Sequence, residues 1–284
     1  MGIFDGLGKF GLGDLQEADL FEEEKKAADD TASVEERQKN SEEIEAEVLI
    51  DKKFKCPQCD KQFTSKIVRS GKARLLSQDI DLRPRHEGIN TVKYDVIMCP
   101  YCGYAALNKF FNAVTSAQLK LIKENISLKF QPKEFSGSVY DYDQAMERYQ
   151  MALINAIIKK AKNSEKAFIC LKSSWVVAGK IESLDENENQ EEITKLRAQE
   201  AELLKNAFEG FAKARSTESY PMCGMDEYTV DYLIAVLAYR NHQDDIAMRM
   251  LSSVITGRNA NPRLKDKARD LKEEIVQEKK KKES

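Results

Sequence analysis

The sequence predicts an α+β chain: a small antiparallel zinc ribbon followed by an all-helical, tetratricopeptide-like domain. Three observations predict it. The tetrapeptide C-P-x-C occurs twice, as "CPQC" at 56–59 and "CPYC" at 99–102, with 39 residues between the pairs. Each pair is flanked by short stretches with β patterning, and these signals stop after Ala105. From residue 142 to residue 280 the apolar residues recur at helical spacing in six successive segments.

Composition fits that class. The chain has 284 residues, 42% of them hydrophobic, which is enough for one or two cores, and 33% charged, which suits helices with solvated faces. The net charge of −3 is nearly neutral, but it is unevenly spread. Residues 1–50 carry 15 acids and 5 bases, whereas 51–112 carry 12 bases and 6 acids. The cysteine-bearing segment is therefore the basic block of the chain. No window approaches the ~20 apolar residues of a membrane span. The start, "MGIFDGLGKFGLGDL", lacks the basic and apolar regions of a signal peptide. Paired C-x-x-C without a secretory signal points to metal before disulfides, and the chain reads as cytoplasmic, with no membrane contact.

Residues 1–45 read as an acidic, disordered segment, its first part weakened as a helix by five glycines between Gly2 and Gly13. Phe4, Leu7, Phe10, Leu12 and Leu15 are the alternative there, a short stripe for docking on a partner. The ribbon spans 46–112. "AEVLIDKKFKC" reads as a strand entering the first cysteine pair and "KQFTSKIVR" as a strand leaving it. Val92, Tyr94, Val96 and Met98 alternate at period two, so "TVKYDVIMC" reads as a half-buried strand entering the second pair. Between the two lies a polar stretch at 70–91 with breakers at Gly71, Pro84 and Gly88, read as a hairpin excursion or a long loop.

A connecting helix and linker fill 113–140, broken by "QPKEFSGS". Helices are expected at about 142–162, 164–180, 190–215, 226–241, 243–257 and 262–280. Three of them carry a small residue, a bulky one four on and a small or β-branched one three further. These are Ala145/Tyr149/Ala152, Ala207/Phe211/Ala214 and, more loosely, Ala247/Leu251/Val254. Such triads let helices approach closely in tetratricopeptide pairs, and Ile234 and Ala235 sit where a partner helix would place its contact. Their spacings of 62 and 40 residues depart from the regular ~34, so a helical bundle with no repeat remains the other reading.

The chemistry lies in Cys56, Cys59, Cys99 and Cys102. Two residues between cysteines let one tight turn aim both sulfurs at one ion, and four thiolates make a tetrahedral zinc site with Zn–S near ~2.3 Å. Pro57 and Pro100 preset φ in the turn. Gly103 can adopt the left-handed conformation that closes the second knuckle, and Asp60 holds the equivalent place in the first. With sulfur in all four positions the zinc has no open site for water, so it is structural, one ion per chain.

Neither histidine has a ligand spacing: His86 lies in a loop and His242 in a helix–helix turn. Cys170 and Trp175 fall on an apolar helix face and read as core. Cys223 lies in a turn and is either a half-buried loop cysteine or a reactive thiol. No phosphate-binding loop, dinucleotide fingerprint or nucleophile elbow is present.

These features favour a non-enzymatic protein-interaction or scaffold protein, its helical domain offering a surface to a protein or peptide. Two alternatives stand beside it. Lys66, Arg69, Lys72, Arg74 and Arg83, in the basic 61–85 segment, would contact nucleic acid if they share one exposed face. Asp79, Asp81, Arg83 and His86 would form a polar enzyme site around 79–87 if they line a pocket. The partner's identity and the oligomeric state are not encoded in any motif.

The two knuckles, the "DIDLRPRHEGIN" stretch at 79–90 and the "YDVIMCPYCGYAA" strand and turn at 94–106 together resemble an uncharacterised bacterial family. Its members pair a C-P-x-C ribbon with a helical tail. The resemblance covers about 46–125 strongly and the helices weakly. It implies a zinc ribbon ligated by Cys56, Cys59, Cys99 and Cys102 and tetratricopeptide-like helices, and it adds no substrate. Asp60, where the second knuckle has glycine, is its one departure.

Overall fold

The computed structural model describes residues 34–132, 135 and 137–283. The chain divides into two units, Met1–Ser41 and Glu42–Ser284. Of the first, only the opening turns of helix α1 (Val34–Glu47) are described. The apolar stripe from Phe4 to Leu15 lies outside the described residues. Residues 34–45, expected to be disordered, are helical. Their run of Glu, Gln, Arg, Lys and Ala has high helix propensity. Glu45 also accepts from Lys93 Nζ and Tyr94 Oη, both at 2.8 Å, which ties the end of α1 to the ribbon.

Three two-stranded antiparallel sheets follow. β1 (Leu49–Lys55) pairs with β2 (Gln62–Val68), Phe54 opposite Phe63. β3 (Leu75–Gln78) pairs with β4 (Pro84–His86), which makes the polar excursion a hairpin. β5 (Val96–Met98) pairs with β6 (Ala105–Leu107). The strand expected over 91–99 is shorter than its alternation suggests. Residues Thr91–Tyr94 form a 3-10 turn, started by the Asn90 side chain accepting from Val92 N–H. Val92 and Tyr94 are buried in that turn all the same, so period-two spacing counted them as strand.

β5 is buried on both faces. Val96 and Met98 enter the large core formed by the helices, whereas Ile97 enters a second core with Phe63, Tyr104, Phe111 and the cysteines. Ala105 and Leu107 of β6 join the first core and Ala106 the second. This thin central layer is what joins the ribbon to the helices.

The helical part begins with α2 (Ser116–Ile122), capped by Thr115 with Gln118 in a reciprocal capping box and extended by a π turn over Lys123–Ser127. α3 (Tyr142–Ile158) starts at a second capping box, Asp141 with Gln144. Then come α4 (Asn163–Ser183), α5 (Gln190–Thr217), α6 (Glu227–Arg240), α7 (Asp244–Thr256) and α8 (Pro262–Glu283). Asp226 caps α6, and Pro262 occupies the first position of α8, where its missing N–H costs nothing. Each helix from α3 to α8 packs on its successor, and α3 also packs on β5 and β6. Gly210 lets α5 approach α4 closely: a Cβ there would meet the Cβ of Ala167 at 2.8 Å.

All nine residues of the three small–bulky–small triads are buried, on α3, α5 and α7. Among the described residues no helix is long and apolar enough to cross a membrane.

Candidate metal centre

Each cysteine pair closes a knuckle at the end of a strand pair, and the two knuckles repeat one backbone pattern. Cys56 N–H donates to Lys61 O at 3.0 Å and Asp60 N–H to Cys56 O at 2.9 Å. Cys99 N–H donates to Tyr104 O at 2.8 Å and Gly103 N–H to Cys99 O at 3.1 Å. Both turns need a left-handed residue at their end, and Asp60 (φ 59°) and Gly103 (φ 72°) supply it. Gly103 is constrained twice, because a Cβ there would also meet the Phe130 ring at 2.5 Å. Asn155 of α3 donates to Gly103 O at 2.9 Å and fixes the second knuckle on the helices.

The knuckles face each other. Cys56 Sγ lies 3.6 Å from Cys102 Sγ, and Cys59 Sγ lies 3.7 Å from Cys99 Sγ. All four sulfurs fall within 4.8 Å of one another. A disulfide needs about 2.05 Å, so these are four thiols. Sulfurs about 2.3 Å from a central ion in a regular tetrahedron are about 3.8 Å apart, which the crossed pairs match. The donor set and spacing fit one tetrahedral metal ion, and four soft thiolates select zinc or iron over oxygen-loving cations.

The sulfurs are electrostatically unlike one another. Sharing of S–H hydrogens from Cys102 and Cys56 holds Cys99 down to about 2, as a thiolate. For Cys56 the Cys102 contact favours the thiolate, but the Cys99 contact and burial outweigh it and push the thiol up to about 12. Contacts with Cys56 and Cys99, then burial, push Cys102 up as well. Backbone N–H groups of Gln58 and Cys59 support the Cys56 sulfur, and those of Tyr101 and Cys102 support Cys99.

The remaining cysteines lie elsewhere. Burial pushes the Cys170 and Cys223 thiols up to about 11, against the nucleophilic direction. His86 receives or donates a hydrogen bond with Thr91 Oγ1 at 3.2 Å and is outside the sulfur cluster. His242 takes a left-handed conformation (φ 57°) in the α6–α7 turn.

The expectation of one exposed basic face is corrected at Arg83. This side chain is 4% exposed and donates both Nη groups to Glu182 at 2.9 and 3.0 Å. The turn before it has Leu82 left-handed (φ 67°) and Arg83 N–H donating to Asp81 Oδ1 at 3.2 Å, and from there the Arg83 side chain meets α4. Of the other four, Lys66 pairs with Asp51 at 3.1 Å, Arg69 reaches Leu49 O at 3.5 Å and Arg74 stands 3.6 Å from Glu87. Lys72 is exposed.

Of the four residues expected to form a polar site, Asp79, Asp81 and Arg83 line a cavity of about 220 Å³, and His86 is not among its walls. Asp79, Asp81, Arg83 and Arg85 meet Trp175 and Glu182 of α4, Glu200 of α5 and Arg240 of α6 there. Arg85 joins Asp79 and Glu182, and Asp81 accepts from Trp175 Nε1 at 3.0 Å. Burial raises the Glu182 carboxyl, but Arg85 and Arg83 outweigh it and hold it below the usual range. Burial pushes Glu200 up, opposed by Arg240. Charges here are matched in pairs, and the network latches the hairpin onto α4. Glu182, Glu200 and Arg240 lie about 100 residues or more from the hairpin in sequence, and no spacing announced them.

A bacterial family described as "Uncharacterized protein conserved in bacteria (DUF2225)" matches residues 49–275. The chain belongs to this family. The matched span holds both knuckles, the hairpin and the helices up to Ile275 of α8. Comparison with curated proteins and with solved structures returns no match.

Proposed function

We propose that the protein is a non-enzymatic interaction or scaffold protein of the cytoplasm whose ribbon is folded by one zinc ion. Four sulfurs fill a tetrahedral shell and leave no place for a reacting water, which supports a structural role for zinc. Thiolate ligands must stay reduced to hold an ion, which favours a reducing compartment. The buried triads on alternate helices α3, α5 and α7 support a tetratricopeptide-like layout, in which paired helices leave an extended surface for a protein or peptide.

The observation that carries the partner surface is on α3. Ile154 and Ile157, three residues apart and so on one helix face, are 41% and 51% exposed, and Leu128 after the π turn is 72% exposed. Outward isoleucines on a helix whose other face is fully used suit an apolar partner. Affinity capture with the full chain and with an I154D/I157D chain tests this, both checked for folding by circular dichroism. A partner held by the first and lost from the second supports the reading. Identical capture by both chains contradicts it.

One second reading has a specific observation behind it. Asp79, Asp81, Arg83 and Arg85 line a half-open cavity with Glu200, and convergent polar groups of this kind are what a small enzyme site would need. Nucleic-acid contact through Lys66, Arg69, Lys72 and Arg74 has less support once Arg83 is turned inward.

A further inference from the structure

Two ammonium groups converge on the Phe168 ring of α4. Lys109 follows β6 in a 3-10 turn over Asn108–Phe110. Its Nζ lies 4.3 Å from the centre of the Phe168 ring and 5.0 Å from that of Phe110. Lys172, four residues after Phe168 and so on the same helix face, sets its Nζ 5.0 Å from the Phe168 centre. Lys172 is ion-paired with Asp95. Lys109 donates to the Cys223 carbonyl at 2.5 Å, a neutral acceptor, and among the described residues no carboxylate pairs with it. Glu165, which also acts on Lys109 through space, is taken by Lys159 at 2.7 Å. Partial burial against the rings, with Lys172 adding to it, works against the charged form of Lys109. A ring face attracts each cation but carries no net charge to balance the second.

Both lysines line one half-open cavity of about 290 Å³, with Asp95, Leu107, Asn108 and Phe168. That is the size of the smallest ligand pockets, about 300 Å³. The outer side of Lys109 is exposed, so the cavity is reached directly from solvent. Leu107 and Phe168 give it apolar walls. Each ammonium has three hydrogens to donate. Lys109 spends one on Cys223 O and Lys172 spends one on Asp95 Oδ2, which leaves both with donors to give. Two ammoniums face one carboxylate here, so one positive charge lacks its counter-ion.

We propose that this cavity binds a small monocarboxylate with a short apolar body, its carboxylate held by Lys109 and Lys172. One negative charge brings the group to neutrality, and the two carboxylate oxygens accept charge-assisted bonds from the two ammoniums. A doubly charged phosphate would add a second negative charge beside Asp95, where like charges repel. Leu107 and Phe168 take the body of the ligand. Asp95 competes with the ligand for Lys172, so the protein's own carboxylate weakens the site. This site shares no wall with the 79–87 cavity and is independent of the partner surface on Ile154 and Ile157.

Isothermal titration calorimetry on the full, metal-loaded chain tests it with isobutyrate, isobutyramide and inorganic phosphate at millimolar concentration. Isobutyrate should bind, and isobutyramide, the same shape without the charge, should bind at least about tenfold more weakly. Phosphate should bind more weakly than isobutyrate. Amine labelling mapped by mass spectrometry places the site: isobutyrate should shield Lys109 and leave the exposed Lys72 as reactive as before. K109M should lose at least about tenfold in affinity, and it strands no carboxylate, so the fold should be kept. D95N should bind isobutyrate about two- to fivefold more tightly, because Lys172 is released from its competitor. The isobutyrate–isobutyramide comparison and the labelling use the unmodified chain, so a folding defect in a variant cannot hide the answer. Equal binding of isobutyrate and isobutyramide, no binding of either, or tighter binding of phosphate would overturn the assignment. So would isobutyrate binding that leaves Lys109 unshielded, or a folded D95N chain that binds isobutyrate more weakly.

Discussion

The two cysteine knuckles share a backbone and differ in what stands behind them. The second, on β5 and β6, is built into the middle of the molecule: its strands feed two cores, Asn155 holds Gly103 O, and Phe130 fills the space beside Gly103. The first, at the end of β1 and β2, has Asp60 in the glycine position. Outside Leu49 and Phe54, every side chain of β1 is exposed. The lesson is that one motif can lean more on packing in one copy and more on its metal in the other.

Stripping the metal is the largest way to break the comparison. Structural zinc contributes on the order of 10 kcal/mol in small metal-folded modules, and beside it the first knuckle has chiefly the Phe54–Phe63–Phe111 contact and Ser65 to hold it. With a chelator present, hydrogen exchange over 49–68 should accelerate by orders of magnitude, while 163–256 keeps its protection. Equal acceleration over 49–68 and over the second knuckle, 96–107, would mean that the second knuckle depends on the ion as much as the first.

Substitution at the two left-handed positions sharpens it. Gly103→Ala meets both the positive φ and the Phe130 ring, and we expect about 3 kcal/mol lost in denaturant unfolding. Asp60→Gly relieves a non-glycine residue at φ 59° and gives up an exposed pair with Lys55, so the change should stay within about 1 kcal/mol, in the stabilising direction. Similar losses at both sites would show that packing behind the knuckles is equal after all.

Acid acts more weakly, through the latch that holds the β3–β4 hairpin between the knuckles. Glu182 has a folded pKa held below its ordinary 4.5. Its contribution is therefore complete above that value and is lost as pH falls through the lower folded value. Because Glu182 is half-exposed, the loss should be about 1 kcal/mol or less, and absent in an E182Q chain. Unfolding midpoints from pH 6 to pH 3, compared between the two chains, measure it.

Much of this was readable from local signals. Helix starts at 163, 227, 244 and 262 follow from the "NS", "STESYPMCG", "NHQ" and "NANP" breaks, because caps and breakers act within a turn. The cysteine cluster was readable because metal geometry forces its own spacing. The 3-10 turn at 91–94 was not, since Val92 and Tyr94 are buried at an interval of two without being a strand. The Arg83–Glu182 latch joins residues 99 apart, and no periodicity carries that information. Arg148 and Asn155 were within reach: they fall on the same stripe as Ala145, Tyr149 and Ala152, and a charged residue on a core stripe signals a partner to be found.

Metal content of the purified chain decides most directly whether four distant sulfurs clasp one ion. Mass spectrometry of the unmodified chain, kept reduced and never exposed to chelator, should give one zinc per chain, falling to near zero in C99S/C102S. A folded, unmodified chain that carries no metal, or a C99S/C102S chain that keeps a full equivalent, would contradict it.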